Sequence, residues 1–210
     1  MKKLQFKTTF KTKMADTDTP VSLYLRFRDV YVNTLLLESS DYHSKEESFS
    51  FIAIEPIVSM KVDDSKFSVS HKGTQIDEQT IDKNFYELFD KFTESITLDC
   101  PAELKSFNGL YGYTTYDSVQ YFENIKFKNK KAPSAIPEMQ YSFYRFIIAI
   151  NHFNDEMTLI ENIEEGKSSR IKELETIIDA QAFNTQKFEI VGEETSNITG
   201  EEFIDYVRKA

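Results

Sequence analysis

An apolar segment at residues 141–150 constrains the fold more than any other feature of this sequence. A polar stretch at 151–155 follows it, and Met157, Leu159 and Ile160 then resume the apolar pattern. Two apolar runs joined by a short polar turn predict a β-hairpin. The chain also holds 18 Phe and 11 Tyr, with Val, Ile and Thr in short runs, and these residue types are enriched in strands. The sequence therefore predicts a sheet-rich fold.

Alternation of apolar and polar residues predicts further strands. They are expected at residues 4–10, 23–27, 34–37, 49–54, 58–62 and 67–69, with a turn at 63–65 and a later strand that ends near 113. In the second of these, Leu23, Leu25 and Phe27 would share one face, and Arg26 and Arg28 the other. Residues 34–37 read as a buried strand. The sheet is expected to break at Pro56, and residues 97–101 are expected to form a loop between domains or elements.

Apolar residues at helical spacing predict three helices within the same region. They lie near residues 81–94, 117–123 and 168–182. Together with the strands, they predict an α+β fold that has largely antiparallel sheets and a few packed helices.

The last residues predict the start of a further helix. Thr199 fits an N-cap with Glu202 three residues later, and Phe203 and Val207 lie four residues apart on one face. A helix this short without a C-cap is marginal on its own, so we expect the native protein to extend past Ala210. The predicted organisation is a domain at 1–185, a polar linker at 186–198 and the beginning of a second domain at 199–210.

Charge and cysteine content narrow the choice of partners and compartment. The formal net charge is -10, and an acidic surface repels phosphate backbones, so nucleic acid is not an expected partner. Cys100 is the single cysteine, which excludes a disulfide within the chain and favours a reducing, cytoplasmic location. No stretch approaches the ~20 apolar residues of a membrane span, and Lys7 and Lys11 interrupt any signal-peptide pattern.

The sequence lacks the usual motifs of catalysis and metal binding. His43, His71 and His152 are far apart, and none has the spacing of a metal ligand. Residues 109–112 do not match a phosphate-binding glycine loop, and no Gly-x-Ser-x-Gly elbow is present. Glu164 and Glu165 are interpreted as part of a solvated turn, not as an acid–base pair. We therefore predict no catalytic residue and no metal ligand in this chain.

The segment 35–40, Leu-Leu-Leu-Glu-Ser-Ser, is the strongest candidate for a ligand site. A strand that ends in Glu38 and Ser39 places an acceptor and a hydroxyl at the rim of a core. Glu38 could balance an ammonium group, and Ser39 could hydrogen-bond an amino or carboxylate group. An ordinary strand end with local backbone hydrogen bonds is the alternative interpretation.

Several segments, in their order and spacing, resemble the amino-terminal region of the large subunit, component I, of anthranilate synthase. They are residues 19–24 followed by 35–39, the block 49–56, the block 108–123, the hairpin at 151–160 and the helix at 199–210. The block 49–56 is similar to Tyr-Ser-Phe-Ile-Gly-x-x-Pro, and the block 108–123 to Gly-Gly-x-x-Gly-Tyr-x-x-Tyr-Asp-x-x-Arg-x-x-Glu. This chain departs from the family at Ser48, Ala53, Asn108 and Gln120, which stand where the family often has Arg, Gly, Gly and Arg.

The resemblance implies a specific function, which composition and residue spacing alone do not predict. In that family, chorismate and ammonia become anthranilate and pyruvate in tryptophan biosynthesis. A glutamine amidotransferase subunit, component II, supplies the ammonia, and Mg²⁺ is required. Chorismate and Mg²⁺ would bind in a carboxy-terminal domain outside this chain, so the chain alone is expected to be inactive. The amino-terminal domain would hold the feedback site for L-tryptophan, which the resemblance carries over to Leu37, Glu38 and Ser39.

Two alternatives remain open at this point. Component I of aminodeoxychorismate synthase, in the folate pathway, shares the fold and these blocks but makes a different product. A free-standing ligand-binding domain with no enzyme attached would need a cap on the last helix, and the sequence does not show one.

Overall fold

The computed structural model describes residues 3–38, 48–125, 136–180, 188–193 and 195–209. Over these ranges the chain forms a nine-stranded sheet and four α-helices, which confirms the predicted α+β class. The strands are β1 (Leu4–Met14), β2 (Leu35–Glu38), β3 (Phe49–Asp63), β4 (Lys66–His71), β5 (Thr74–Thr80), β6 (Ile96–Asp99), β7 (Leu110–Thr114), β8 (Met139–Asn151) and β9 (Glu156–Glu164). The helices are α1 (Pro20–Arg28), α2 (Phe85–Glu94), α3 (Ile171–Asp179) and α4 (Gly200–Lys209), with 3₁₀ helices at Ala102–Leu104 and Tyr116–Tyr121.

The predicted hairpin, now β8 and β9, lies in the middle of the sheet. The strand order is β5-β4-β3-β8-β9-β1-β6, with β2 added beside β3 and β7 beside β8. Where the structure describes the chain, strands pair antiparallel except for β1 with β6. Residues of β8 contribute to apolar clusters on both faces of the sheet: Phe146 and Ile148 pack with α1 and α3, and Ile147 packs with Ala53 and Ile160. Burial on both faces explains why β8 reads as a continuous apolar run.

The sheet branches on both sides of the β3–β8 pair. On the outer edge of β3, β2 pairs as far as Ala53 and β4 begins at Val58. On the outer edge of β8, β7 pairs as far as Phe143 and β9 begins at Phe146. The two branch points face each other across the ladder, since Ile54 pairs with Phe146 and Pro56 with Tyr144. Here four strands diverge from one two-stranded centre.

Pro56 does not end the strand as the sequence suggested. β3 runs through it, with a bulge between Pro56 and Val58. Proline cannot donate a ladder hydrogen bond, and a bulge accommodates that loss without ending the pairing. Glu55, just before it, has a φ of 61°, a left-handed conformation that is unusual for a residue with a side chain.

The predicted strand at 23–27 is wrong, because these residues form α1. Thr19 caps the helix by accepting a hydrogen bond from the backbone N–H of Ser22, and Pro20 occupies the first turn. Leu23 and Phe27, four residues apart, are fully buried on one helical face. Arg26 is also buried, where it lies 2.8 Å from Asp18 and donates to the carbonyl of Ile178. Leu23 and Phe27 fit both a strand period and a helical period, and the cap decides for the helix.

Three other strand predictions need correction. Residues 97–101, expected as a loop, contain most of β6, which pairs parallel with β1. The polar strand β5 was not expected, because its residues are largely exposed at the edge of the sheet. β2 is a strand as predicted, but it is not buried: its residues are half-buried or exposed.

The helices within the first 180 residues agree with the predicted segments. α2 and α3 are shorter than expected, and the predicted helix at 117–123 is the 3₁₀ helix Tyr116–Tyr121. α2 buries Phe85, Leu88 and Phe92 against one end of the sheet. α3 buries Leu174 and Ile178 beside α1.

The capping box of the last helix is present as predicted. The N–H of Thr199 donates to the Glu202 carboxylate at 2.7 Å, and the N–H of Glu202 donates to the Thr199 hydroxyl at 3.2 Å. α4 buries none of its residues, and Phe203 and Val207 are exposed. The boundaries proposed at 185 and 198 remain predictions, and part of the proposed linker lies outside the described residues.

Gly112 marks the closest approach between β7 and β8. A Cβ at this position would stand 1.9 Å from the backbone oxygen of Gln140. Only a residue without a Cβ allows this spacing.

We predict that Gly112→Ala destabilises the fold by about 2 kcal/mol or more, because β7 must move away from β8. Gly109→Ala is the matched control, since a Cβ there would meet nothing within 4 Å. Urea unfolding of both variants measures the difference. Equal stability of the two variants would contradict this account of the strand spacing.

Candidate functional site

Two of the three predicted effector residues lie at the end of β2. β2 pairs antiparallel with β3, so that Leu37 stands opposite Phe51 and Glu38 opposite Ser50. Both Leu37 and Glu38 are exposed. Ser39, the third predicted residue, lies outside the described residues, as does His43. Within the described ranges, β3 is the one strand that pairs with β2, so the other edge of β2 is open.

The Glu38 side of this strand end is polar. Residues directly opposite each other in an antiparallel pair share a face, so Glu38 and Ser50 are neighbours. The Ser50 hydroxyl is buried and lies 2.7 Å from Nε2 of His152, where either group can donate depending on the imidazole tautomer. The backbone N–H of His152 donates to the carbonyl of Ser48 at 3.0 Å. His152 is therefore exposed, but two hydrogen bonds hold it at the end of β3.

The Leu37 side of the same strand end is apolar and aromatic. Phe51 lies opposite Leu37, and its ring centroid is 5.8 Å from that of Phe107 and 5.9 Å from that of Tyr111. Phe49 adds a further ring, 4.9 Å from Phe107. Burial raises the pKa of Tyr111, so its hydroxyl remains neutral. The strand end thus separates a carboxylate face from an aromatic face.

Two departures from the family pattern have structural partners here. Asn108 is buried, and its amide exchanges two hydrogen bonds of 2.8 Å with the amide of Asn162. The hydroxyl of Thr8 joins this pair by donating to Asn162. Gln120 donates to the Glu138 carboxylate at 3.3 Å, beside the Tyr121 hydroxyl. The network of Thr8, Asn108 and Asn162 therefore occupies the branch point between β7 and β9.

A second charged cluster, which the sequence did not reveal, surrounds Glu161. This side chain is fully buried on β9, and its carboxylate accepts from Nε and Nη2 of Arg145 at 3.1 and 2.9 Å. It also accepts from the Ser169 hydroxyl at 2.6 Å and from the backbone N–H of Arg170 at 2.8 Å. Sequence spacing did not predict this cluster, because Arg145 and Glu161 meet only through the pairing of β8 with β9.

Arg170 links this cluster to the bulge in β3. Its Nη1 donates to both oxygens of the Glu55 carboxylate at 2.9 Å, and its Nε and Nη2 donate to Glu173. The hydrogen bonds with Glu173 and the charge of Glu55 raise the pKa of Arg170 against the effect of burial. Glu55, the left-handed residue at the bulge, is thus paired with Arg170, and this ion pair joins β3 to the start of α3.

Glu164 forms an ion pair and is not the solvated turn residue that the sequence suggested. Its carboxylate accepts from the ammonium group of Lys72 and lies 3.4 Å from Nε2 of His71. Burial favours the neutral acid, but the hydrogen bond and charge of Lys72, with His71 and Lys167, outweigh it and lower the pKa of Glu164. The carboxylate therefore stays ionised at neutral pH.

Proteins with sequences similar to this chain include anthranilate synthase component 1 from several organisms. Anthranilate synthase component 1 of Lactococcus lactis is 28% identical over 186 residues, which cover 88% of this chain and 38% of that protein. The Aquifex aeolicus protein of the same name is 26% identical over 221 residues, covering 94% and 42%. No family model matches the chain. The resemblance to anthranilate synthase component I is confirmed.

The solved structures support the same fold. Anthranilate synthase component I from Streptococcus pneumoniae superposes with a TM-score of 0.51 at 18% identity, covering 94% of this chain and 43% of that one. At this identity the match bears on the fold alone. The chain spans about two fifths of the length of the anthranilate synthase relatives that it matches.

The described residues contain neither a membrane-spanning helix nor a metal-binding cluster. No helix in these ranges is long and apolar enough to cross a membrane. No group of three or more His, Cys, Asp or Glu side chains in the same ranges could hold a metal ion. That Mg²⁺ binds outside this chain stays a prediction.

We predict that Glu161→Gln destabilises the fold by about 3–5 kcal/mol, because it leaves the Arg145 guanidinium buried without a counter-charge. The control is Glu175→Gln, which removes an ion pair with Lys11 at a more exposed position, where the loss should stay below about 1 kcal/mol. Chemical denaturation of the two variants measures the contrast. Similar losses of stability in the two variants would show that the buried pair contributes no more than the exposed pair.

Proposed function

We propose that this chain is the tryptophan-sensing region of an anthranilate synthase component I, an enzyme of tryptophan biosynthesis. The observation that carries the proposal is the arrangement of β2, whose end offers a carboxylate on one face and an aromatic cluster on the other. The names of the curated relatives support the enzyme family. The complete enzyme would convert chorismate and ammonia to anthranilate and pyruvate.

The proposed effector contacts follow from the chemistry of a free aromatic amino acid. The Glu38 carboxylate would attract the ammonium group, with Ser50 and His152 holding the neighbouring strand end in place. Leu37 and the rings beside Phe51 would provide apolar contact for an indole. Ser39 remains the predicted hydrogen-bond partner of the ligand.

Inhibition would then arise from coupling between two sites. Tryptophan bound at β2 would favour one packing of this region against the catalytic part, and chorismate affinity would fall by the same factor by which chorismate weakens tryptophan binding. We propose that chorismate and Mg²⁺ bind to residues outside this chain, and that component II delivers the ammonia. A cytoplasmic location and the inactivity of the chain alone are part of the same proposal.

We predict that Glu38→Gln and Ser39→Ala, made in the complete gene product, each weaken tryptophan inhibition about fivefold or more while anthranilate formation persists. Each change removes a hydrogen bond or charge contact worth about 1 kcal/mol or more when the group is desolvated. The assay follows anthranilate fluorescence from chorismate, ammonia and Mg²⁺ over a range of L-tryptophan concentrations.

The control is Glu103→Gln, which changes another exposed carboxylate, in the 3₁₀ helix Ala102–Leu104. Its inhibition curve should match that of the unaltered protein. Unchanged tryptophan inhibition in both Glu38→Gln and Ser39→Ala would show that the end of β2 is not the effector site. Formation of 4-amino-4-deoxychorismate in place of anthranilate would assign the protein to the sister synthase.

A further inference from the structure

A second concave site lies at the branch point between β2 and β4. A cavity of about 350 Å³ opens there, between the turn after α1, the bulge of β3 and the β4–β5 turn. Its charged lining consists of Glu55, Lys72, Arg145 and Glu164, and its mouth includes Tyr31 and Val32. The volume is within the range of small-molecule sites. The cavity exists because no strand of the described chain pairs with the outer edge of β3 between Ala53 and Val58.

The four charges in this cavity balance, and two of them, Arg145 and Glu55, are held by partners outside the cavity lining. Arg145 is held by Glu161 and the Ser168 carbonyl through Nε and Nη2, and no described residue accepts from its Nη1. Glu55 is held by Arg170, which does not itself line the cavity. Lys72 has three donors and uses one on Glu164. The site therefore presents two carboxylates and two cations, and both cations have hydrogen-bond donors that are not in use within the described part of the chain.

The backbone around the cavity is unusual. Asn33, Glu55 and Lys72 all line it, and all three have a positive φ, of 58°, 61° and 50°. They are three of only seven such non-glycine residues in the described ranges. Asn adopts this conformation readily, and Lys72 forms the two-residue β4–β5 turn with Gly73, so Glu55 is the residue whose backbone is strained. Strained residues of this kind cluster at ligand sites.

We propose that this cavity binds a free α-amino acid, at a site distinct from the β2 end. A simple anion would be repelled by Glu55 and Glu164, and a simple amine by Lys72 and Arg145. A ligand that carries a carboxylate and an ammonium group on one carbon satisfies both pairs at once. Tyr31 and Val32 are left to contact its side chain.

The two sites are separated along β3. Glu38 lies opposite Ser50, and the cavity begins at Glu55, five residues further along the strand. At 3.3 Å per residue this is roughly 17 Å, too far for one amino acid to bridge. Occupancy of the two sites can therefore be tested independently.

The test is calorimetric titration of the complete gene product with the standard amino acids, one at a time. We expect at least one to bind, and its decarboxylated amine and its deaminated acid each to bind at least about tenfold more weakly, since each loses one charge contact. Lys72→Met should weaken binding about tenfold or more. Lys66→Met is the matched control, because Lys66 is also an exposed lysine on this hairpin but does not line the cavity.

Lys72→Met also removes the ion pair with Glu164, so a second pair of variants leaves every charge in place. Val32→Trp should block the mouth and abolish binding, whereas Val30→Trp, at an exposed position of the same turn that does not line the cavity, should not. Thermal melting without ligand checks that the variants are folded.

The outcomes separate this proposal from the feedback function. No binding by any amino acid, equal effects of Lys72→Met and Lys66→Met, or full binding by the deaminated acid would each overturn the amino-acid site. If Glu38→Gln removes binding and Lys72→Met does not, the ligand sits at the β2 end, and only the present proposal fails. Binding lost in Lys72→Met and retained in Glu38→Gln supports it, whatever the anthranilate assay gives.

Discussion

The antiparallel pairing of β3 with β8 is the interaction on which the rest of the fold depends. It runs from Phe49 opposite Asn151 to Val62 opposite Met139, and the neighbouring strands attach to its two outer edges. Because each outer edge changes partner midway, gaps open at the centre of the sheet. One gap holds the amide network of Asn108 and Asn162, and the other holds the charged cavity beside Glu55. Buried polar groups need such partners, and both branch points provide them.

The same geometry keeps the two proposed ligand sites apart. The end of β2 is open on one edge and has little burial, which suits a surface that another part of the protein can cover. The cavity is bordered by the buried Arg145–Glu161 pair and by the more exposed Glu55–Arg170 pair. The β2 end is thus an open strand edge, whereas the site at the bulge is a concave pocket.

Much of the fold could be predicted from the sequence, and the failures have physical causes. The β8–β9 hairpin, the β3–β4 turn and the α2 and α3 faces follow from period and turn residues. The prediction for residues 23–27 was wrong because it rested on alternation alone, whereas the Thr19 cap seen in the structure begins a helix there. β6 was missed because a short strand is defined by its neighbour, β1. The Arg145–Glu161 pair could not be foreseen, since it depends on strand register. The β2 candidate came from a strand that ends in Glu38 and Ser39, and the resemblance added Leu37 and the assignment to tryptophan. Ser39 lies outside the described residues.

The central claim, that tryptophan acts at the end of β2, is tested most directly by hydrogen–deuterium exchange of the complete gene product with and without L-tryptophan. The account predicts slower amide exchange in peptides that cover residues 35–38 and 49–53, because the ligand would order an open strand edge. Peptides from the β4–β5 hairpin, on the other side of the branch point, should change little unless tryptophan also enters the cavity. Binding of tryptophan with no change at residues 35–38 and 49–53 would contradict the account.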